Sequence, residues 1–366
     1  MILRNINLRN FRLHEDTSVE FSNKLNFLVG GNGQGKTSVL EAIYYLCTTK
    51  NLLSSSDSDT VTFGRQFMEI KGVIEDLAVH SVRLNYDSRR KYYYLDEKII
   101  PNSAEIIGKF PIVTLIQSDH LLTQGSPSDR RKFVDSTLSQ LSHSYLSAYI
   151  EYNKILRQRS NLLSQIRENR NINLYDQLEA WTESLILKGT QIIEQRIKFV
   201  SEFNEYLKQT YRYIMGDIET PYINYSTLCN HEDNITEEFR TQIDSAREDE
   251  IRRGVNLIGP HRDDLIFSIN EKELKKYGSQ GQHKTFQIAL KFAQFFYIKE
   301  RLNRTPVFLM DDVFGELDKY RAEKISGYLS EIGQAFITMT DLTYYEELNN
   351  DNRLITVENG KAKVVN

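Results

Sequence analysis

The sequence contains little cysteine, no long apolar run and no clear excess of one charge. Cys47 and Cys229 are the two cysteines among 366 residues, which excludes a disulfide framework and a cysteine-based metal site. The longest apolar stretch, residues 110–116, is far shorter than the roughly 18 residues that span a membrane, and the N-terminus lacks the apolar core of a signal peptide. We therefore expect a cytoplasmic protein without membrane contacts.

The charges nearly balance, because 46 Lys and Arg residues face 50 Asp and Glu residues and leave a net charge of −4. This balance excludes a constitutively tight, strongly basic DNA-binding protein. The acidic residues concentrate in the segment 231–250, which carries eight of them against two arginines, so that the remainder of the chain is nearly neutral. A weak, switchable nucleic-acid binder with local basic patches stays compatible with the composition.

Hydrophobic periodicity divides the chain into three parts. Alternating residues predict strands at 2–11 and 24–29 and a β-meander over 60–116, all typical of an α/β or β-rich domain. From about Pro127, apolar residues recur at the a/d spacing of packed helices, as in two antiparallel helices of moderate length. Strands and helices alternate again from Val255. We predict an α/β fold interrupted by an all-helical arm, with segments 1–126, 127–250 and 251–366.

A glycine-rich loop connects the second predicted strand to the first predicted helix. It matches the P-loop pattern G-x-x-x-x-G-K-[ST], in which backbone N–H groups cradle phosphate oxygens at a helix N-terminus. Lys36 would reach the β- and γ-phosphates of ATP, and the Thr37 hydroxyl would bind Mg²⁺. The alternative, a glycine turn that only caps a helix, explains the flanking strand less well. The predicted nucleotide-binding residues here are Gly30, Gly31, Asn32, Gly33, Gln34, Gly35, Lys36, Thr37 and Ser38.

A second acidic motif completes the nucleotide site in the prediction. Four apolar residues, 307–310, read as a buried strand that ends at Asp311 and Asp312. We assign Asp311 to the Mg²⁺ shell, together with Thr37, and Asp312 to positioning or deprotonating the attacking water as the catalytic carboxylate.

A third motif starts a predicted helix upstream of these aspartates. Ser279, Gly281 and Gln282 resemble the signature sequence of ABC-type ATPases, whose helix N-terminus contacts the γ-phosphate held by a partner subunit. An ordinary serine-capped helix is the alternative. The segment 315–318, Gly-Glu-Leu-Asp, then follows the aspartates as a D-loop-like stretch. ATP would therefore join two copies of the chain head to head.

Over essentially its whole length, the chain resembles the RecF family of recombination mediators among the SMC-like ABC ATPases. Three strings are specific to that family: Gly125-Ser126-Pro127 with the segment 130–135, the segment 259–265 (GPHRDDL), and Gln280-Gly281-Gln282-His283-Lys284. Further matches are the segment 8–12 (LRNFR) on the first strand and the segment 40–44 (LEAIY) after the P-loop.

The resemblance implies an ATPase head of two lobes, an inserted helical arm and an ATP-dependent homodimer with weak, DNA-stimulated ATPase activity. It further implies binding to single-stranded DNA, linear double-stranded DNA and their junctions, with RecR and RecO as partners. Such a protein helps to load recombinase at gaps and supports replication restart and SOS induction. The same resemblance implies that Arg12 is a nucleotide-binding residue. Gln117 is predicted to bind the nucleotide as the residue of a Q-loop from the ABC-type order of motifs alone, and a plain loop glutamine is the alternative.

Two residues depart from the general ABC pattern. ABC hydrolases usually carry glutamate where this chain has Asp312, so we expect poorer water positioning and slow turnover. The histidine that usually follows the last strand is absent, and a threonine or aspartate within 338–341 would have to sense the γ-phosphate.

The DNA-contacting residues are predicted from basic patches alone. The candidates are Arg89, Arg90 and Lys91 beside Tyr92, Tyr93 and Tyr94; Arg130, Arg131 and Lys132; and the arm residues Lys154, Arg157, Arg159, Arg167 and Arg170. Each patch also fits an ordinary solvated face. His261 and Arg262 fit a structural role better than a catalytic one.

Other functions fit the sequence less well. Another SMC-like ATPase of DNA metabolism remains possible by pattern, whereas an ABC transporter subunit is disfavoured by the inserted arm and the lack of membrane-facing segments. A nuclease is disfavoured because only a short segment follows Asp341.

Overall fold

The computed structural model describes residues 1–53, 56–169, 173–228, 234–316, 319–329, 331–340 and 351–365. By its internal contacts the chain divides into two compact units. We call residues 1–119 with 291–366 the sheet unit, and residues 120–290 the helical unit. Within the described ranges, no helix is both long enough and apolar enough to cross a membrane.

The sheet unit contains a six-stranded, mainly parallel sheet with the order β15-β14-β3-β13-β12-β8. Only β15 at the edge runs antiparallel to its neighbour. The central strands are buried along nearly their whole length, as parallel strands covered on both faces must be, and they read as continuous apolar runs. The strands are β3 (Leu25–Val29), β8 (Ile112–Leu115), β12 (Val307–Asp311), β13 (Ala335–Met339), β14 (Arg353–Glu358) and β15 (Lys361–Val364).

A second, antiparallel sheet of the same unit has the order β2-β1-β4-β5-β6-β7. Its inner face packs into one core with helix α1 (Lys36–Thr48) and the parallel sheet. The strands are β1 (Ile2–Phe11), β2 (His14–Glu20), β4 (Met68–Glu75), β5 (Val79–Tyr86), β6 (Lys91–Leu95) and β7 (Lys98–Ile100). A register shift between Leu3 and Asn5 lets Leu3 share the buried face with Ile6 and Leu8, which simple alternation does not allow.

The predicted meander over 60–116 is confirmed for β4 to β7 but wrong at both ends. Residues 61–67 form no strand, and Phe63 in this stretch is fully exposed. At the other end, β8 pairs with β12 in parallel and belongs to the other sheet. Its residues are apolar on both faces, which suits a buried parallel strand rather than a meander.

The helical unit is built around two long helices, α4 (His143–Asn169) and α5 (Asn173–Met215). Helix α6 (Ile235–Arg253), from the acidic segment, packs on both and buries Ile235, Phe239 and Ile243. The other helices of this part are α2 (His120–Gln124), α3 (Pro127–Leu141), α7 (Leu274–Tyr277) and the start of α8 (Gln280–Leu302), while α9 (Lys319–Leu329) belongs to the sheet unit. Short 3₁₀ turns cover Asp57–Thr60, Ser103–Glu105, Gln117–Asp119, Gly216–Ile218 and Phe314–Glu316.

A three-stranded antiparallel sheet also belongs to the helical unit, in the order β11-β10-β9. It consists of β9 (Pro221–Ser226), β10 (Asp264–Ile269) and β11 (Lys272–Glu273). Because β9 pairs with β10, the helical unit continues beyond residue 250, where the predicted arm ends. By its internal contacts this unit ends at Leu290. One strand, β9, therefore lies inside the segment that was predicted to be wholly helical.

Buried ion pairs hold the segment 259–264 in the helical unit. The Arg196 guanidinium on α5 binds both Asp135 oxygens at 2.8 and 3.0 Å and donates to the Pro260 carbonyl at 2.8 Å. Burial alone lowers the pKa of Arg196, but the Asp135 carboxylate reverses the sign and leaves the pKa well above its usual range. Arg196 thus holds the backbone next to His261 and Arg262, for which the sequence predicts a structural role.

His261 lies in the same segment in its neutral form. Its Nδ1 atom accepts from the Tyr152 hydroxyl at 2.7 Å, since Nε2 faces the Asn256 carbonyl, which only accepts. Burial lowers the pKa of His261 to about 4.

We expect the helical unit to lose stability as pH falls below the ordinary histidine pKa. Between about 6.5 and 4 the unfolded chain protonates His261 whereas the folded chain does not, so the free energy of unfolding should drop by about 2–3 kcal/mol from pH 7 to pH 4.5. Urea unfolding followed by the fluorescence of Trp181, the only tryptophan, measures this drop. His261→Asn keeps an acceptor for Tyr152 and should show a clearly smaller drop; equal drops in both proteins would contradict the assignment.

Candidate nucleotide-binding site

The glycine-rich loop connects β3 to α1 at the carboxyl end of the parallel sheet, where ligands of α/β folds bind. Helix α1 begins at Lys36, and its N-cap residue Gly35 has φ +105°, a left-handed conformation that favours glycine. No side chain caps this helix, and its first turn contains no acidic residue. The positive end of the helix dipole thus faces the loop, and no acidic residue of the helix's own first turn neutralises it, which suits an anion-binding loop.

Close packing explains the first glycine of the loop. A Cβ atom on Gly30 would lie 2.2 Å from the Val357 carbonyl oxygen of β14. Any larger residue would push β3 and β14 apart, so only glycine fits at the position where the loop leaves β3.

Lys36 is held inside the loop by backbone carbonyls. Its Nζ atom donates to the Gly30 oxygen at 2.7 Å and to the Gly31 oxygen at 2.9 Å. Burial lowers the pKa of Lys36, while Asp312 and Asp311 raise it in opposition. The ammonium group therefore lies at the loop and close to the two carboxylates, where it can neutralise a phosphate.

Thr37 and Asp311 meet although they are far apart in the chain. The Thr37 hydroxyl donates to Asp311 Oδ1 at 2.8 Å, because β3 and β12 flank β13 and end at the same edge of the sheet. A hydroxyl and a carboxylate are the hard oxygen ligands that Mg²⁺ prefers. The described residues contain no cluster of three or more His, Cys, Asp and Glu side chains that could hold a metal. These two residues thus fit an ion that keeps waters and takes further oxygens from a nucleotide.

Thr338 on β13 orients the same carboxylate. Its hydroxyl donates to Asp311 Oδ1 at 2.7 Å and accepts from the backbone N–H of Asp312 at 2.9 Å. Asp312 adopts φ +52°, so its chain turns sharply at the end of β12. Thr338 is 1% exposed and its hydroxyl is occupied by these contacts, so it supports the two aspartates. The other candidates for the γ-phosphate sensor are Thr340, which is exposed, and Asp341, which lies outside the described residues.

Arg12 is bound to helix α1. Its guanidinium makes two hydrogen bonds to the Glu41 carboxylate, at 2.7 and 2.8 Å, and one to the Asp59 carbonyl at 2.6 Å. The hydrogen bond to Glu41 raises the pKa of Arg12. Arg12 therefore lies beside the P-loop helix, and its predicted contact with the nucleotide remains a prediction.

Gln117 follows β8 at the same edge of the sheet as Asp311. It is exposed, at the start of the 3₁₀ turn Gln117–Asp119, and the pairing of Leu115 with Met310 places it near the end of β12. Lys291 fixes the turn through its 2.8 Å ion pair with Asp119. The predicted Q-loop residue thus lies at the carboxyl edge of the sheet, and its contact with the nucleotide stays a prediction.

The signature residues begin α8 in the helical unit. The Ser279 N–H donates to Gln282 Oε1 at 2.9 Å, and the Gln282 N–H donates to Ser279 Oγ at 3.2 Å, which together form a reciprocal cap. Gln282 Nε2 also donates to Glu219 Oε1 at 2.7 Å. The serine-capped helix of the alternative interpretation therefore exists, and its exposed N-terminus suits an anion equally well. Of the D-loop-like segment, Gly315 and Glu316 lie in a 3₁₀ turn, and residues 317 and 318 are outside the described ranges.

Several predicted DNA-contacting residues are instead structural. Arg130 is 5% exposed and binds Asp264 through two nitrogens, and Arg159 is 1% exposed and pairs with Glu250 at 2.7 Å. Lys91 pairs with Asp57 at 3.0 Å, and Tyr93 is buried. Arg131 is half-buried and donates to the Asp263 carbonyl, and Arg170 lies outside the described ranges. The candidates that are exposed are Arg89, Arg90, Lys132, Lys154, Arg157 and Arg167.

Two residues near the loop, His14 and Gly360, were not predicted from the sequence. His14 Nε2 lies 3.0 Å from the Gly35 carbonyl oxygen, and the Gly360 N–H donates to the Gln34 carbonyl oxygen at 3.0 Å. Neither belongs to a local motif, and a single sequence holds no signal for contacts between such distant segments. Glu41 belongs to the string LEAIY, which indicates the family but does not predict its ion pair with Arg12.

Comparison with known proteins agrees with this geometry. The sequence matches the family described as RecF/RecN/SMC N terminal domain over residues 2–363. The DNA replication and repair protein RecF of Chloroherpeton thalassium is 40% identical over 359 residues, which cover 95% of this chain and 97% of that protein. The corresponding protein of Leptospira interrogans is 34% identical over 374 residues, with 100% of both chains covered.

Solved structures support the same relationship. The recombination mediator protein RecF with ATP, in the RecFOR pathway, has a TM-score of 0.92 at 26% identity, covering 100% of this chain and 98% of that one. An Smc head domain from Pyrococcus furiosus has a TM-score of 0.57 at 15% identity, with 100% and 96% covered, and shows likeness of fold alone. The predicted ABC-type ATPase fold is confirmed, and the chain belongs to the RecF family of DNA replication and repair proteins.

Proposed function

We propose that the protein binds ATP with Mg²⁺ at the P-loop and uses the nucleotide as a switch for DNA binding in recombinational repair and replication restart. The observation that carries this proposal is the 2.8 Å hydrogen bond between Thr37 and Asp311, which joins the loop and the acidic strand end at one edge of the sheet. The relative described as RecF with ATP supports the choice of nucleotide.

Each group of the site has a separate role at the phosphates. The N–H groups of the loop and the start of α1 bind the phosphate oxygens, and Lys36 neutralises their charge. Thr37 and Asp311 would hold Mg²⁺, which neutralises charge on the phosphates when bound. Asp312 positions the attacking water. Since its side chain is one methylene shorter than the usual glutamate, we propose slow turnover and a mainly regulatory ATPase.

Dimerisation follows from the signature motif. The exposed N-terminus of α8 at Ser279 and Gly281 would contact the γ-phosphate bound by a second copy of the chain. ATP would then close a head-to-head homodimer, and hydrolysis would open it, since a ligand shifts an equilibrium only toward the state that it binds better.

The DNA and protein partners are proposed from the family. Relatives named DNA replication and repair protein RecF support DNA as the target, and the RecFOR pathway of the solved relatives supports RecR and RecO as partners. We propose binding to single-stranded DNA, linear double-stranded DNA and their junctions, with help in loading recombinase at gaps and a link to SOS induction. The remaining candidate phosphate contacts are the exposed Arg89 and Arg90 at the β5–β6 turn, Lys132 on α3, and Lys154, Arg157 and Arg167 on α4.

Sedimentation with and without ATP and gapped DNA tests the switch. We expect the wild-type protein to shift from monomer to dimer with ATP, and Ser279→Arg to stay monomeric because the longer, cationic side chain fills the space for the partner's phosphate. Ser268→Arg, at a half-buried serine on β10 of the same unit, is the matched control and should dimerise. ATP-dependent dimers of Ser279→Arg with the wild-type dissociation constant would contradict the proposed dimer.

A further inference from the structure

The rear of the P-loop is contacted by two turns from opposite ends of the chain. His14, at the start of β2, places Nε2 3.0 Å from the Gly35 carbonyl oxygen. In the β14–β15 turn, the Gly360 N–H donates to the Gln34 carbonyl at 3.0 Å, and the Asn359 N–H donates to Gln34 Oε1 at 2.7 Å. All these residues belong to the sheet unit, and we call His14, Thr17 and Gly360 the rear brace.

The brace acts on two consecutive peptide groups of the loop. In a trans peptide, the C=O and N–H bonds point in opposite directions. When the Gln34 oxygen is held by Gly360, the N–H of Gly35 is directed the other way; when the Gly35 oxygen is held by His14, the N–H of Lys36 is directed the other way. The Gly35 oxygen also accepts the first hydrogen bond of α1, from Val39 at 3.3 Å. The brace thereby turns two successive N–H groups toward the phosphate side of the loop.

The two halves of the brace are joined by Thr17. Since the Gly35 carbonyl only accepts, Nε2 of His14 carries the hydrogen, and Nδ1 lies 3.1 Å from the Thr17 hydroxyl. The Thr17 hydroxyl also lies 2.8 Å from the Gly360 carbonyl oxygen, and its one hydrogen is donated either to this oxygen or to Nδ1 of the neutral His14 ring. His14 is fully buried, and burial lowers its pKa, so the neutral ring is favoured around pH 7. No described acid or base other than His14 takes part in this chain of contacts.

The three segments of the brace pack closely against one another. A Cβ atom on Gly35 would lie 2.9 Å from His14 Nε2, and one on Gly360 would lie 2.0 Å from the Leu13 carbonyl oxygen. Gly360 has φ +71°, in the left-handed region that favours glycine. The loop, the His14 turn and the β14–β15 turn are therefore in direct contact on the side away from the phosphates.

We propose that His14, with Thr17 and Gly360, is a positioning residue that preorganises the P-loop for the phosphates of a nucleoside di- or triphosphate. The inference rests on the proposed nucleotide binding at this site. His14 acts through the Gly35 carbonyl without touching the ligand, so that less ordering of the loop is needed when phosphate binds.

Calorimetric titration of the full chain with Mg-ADP and Mg-ATP tests the proposal. His14→Leu removes the donor while keeping the volume close, and we expect the dissociation constants for both nucleotides to rise about tenfold, the effect of roughly one misplaced hydrogen bond. His14→Gln places an amide N–H near the Nε2 position and should recover the affinity to within about threefold. A purely structural role would lower the melting temperature in both variants without this recovery.

Controls separate this inference from the proposed function. His80→Leu makes the same change on β5, where His80 pairs with Asp96 at the surface, and should bind like the wild type. If the wild type and Lys36→Ala bind nucleotide alike, the nucleotide site itself is wrong. If Lys36→Ala loses binding but folded His14→Leu keeps wild-type affinity, the brace is wrong and the site stands. Should His14→Leu fail to fold, Thr17→Val, of equal size, decides: about threefold weaker binding supports the brace, and unchanged affinity overturns it.

Discussion

Lys36→Ala is expected to weaken binding of ATP and ADP by about 100-fold or more, the largest functional effect that we predict for this chain. The ammonium group lies within the loop, 2.7 and 2.9 Å from the carbonyls of Gly30 and Gly31, and burial already disfavours its charge relative to water. A phosphate that loses this partner keeps the cost of its own desolvation, and removing one member of such a pair costs about 3 kcal/mol. Titration with a fluorescent ATP analogue measures the loss.

An exposed lysine at the other end of strand β3 serves as the control for this prediction. Lys24 precedes β3 at the opposite end from the loop, and its side chain is 64% exposed. Lys24→Ala should bind the analogue with unchanged affinity. Binding by Lys36→Ala within about threefold of the wild type would refute the assignment of the P-loop as the nucleotide site, and the DNA switch that depends on it.

Arg196→Met is expected to lower the free energy of unfolding of the helical unit by about 3–5 kcal/mol. The substitution leaves Asp135, which is 5% exposed, and Asp263, 4% exposed, without the guanidinium that compensates them. Breaking a buried pair from one side is costly because the remaining charge stays desolvated. Tyr145 and Tyr225 donate to these two carboxylates but supply no positive charge. Urea unfolding followed through Trp181 on α5 reports on this unit.

The matched change on the same helix is Arg212→Met. The Arg212 side chain is 70% exposed and pairs with an equally exposed Asp217, so its loss should change the free energy of unfolding by less than about 1 kcal/mol. Adding Asp135→Asn to Arg196→Met should recover part of the stability, since it removes one uncompensated charge. A loss below about 1 kcal/mol in Arg196→Met would contradict the role given to this buried network.

The local motifs of the site could be predicted because their chemistry is local. A P-loop needs a strand, its glycines, a lysine and a helix in one continuous segment, and all of these are consecutive in 25–48. The strand 307–311 and its terminal aspartates were equally clear from four apolar residues followed by two acids. The a/d spacing of the arm likewise predicted packed helices, and Leu163, Leu178 and Leu185 on α4 and α5 are indeed buried.

Basic side chains were predicted less well, because a charge in sequence does not indicate exposure. Arg130 and Arg159 belong to basic patches in the sequence, yet each is buried and forms an ion pair with a carboxylate more than 90 residues away in the chain. The strand β8 was assigned to the wrong sheet for a related reason: its pairing partner β12 comes nearly 200 residues later. Periodicity indicates which face of an element is apolar, but not which distant element covers it.

The sequence by itself determined the fold class, the phosphate loop, the acidic strand end and the family of this protein, since each depends on residues that are neighbours in the chain. Only the tertiary structure decided that Thr338 orients Asp311, that Arg196 anchors the segment 259–264, and that His14 and Gly360 brace the loop. These contacts join residues that are at least 21 positions apart in the chain. They depend on strand order and on packing at distances of about 3 Å, which a linear pattern does not encode.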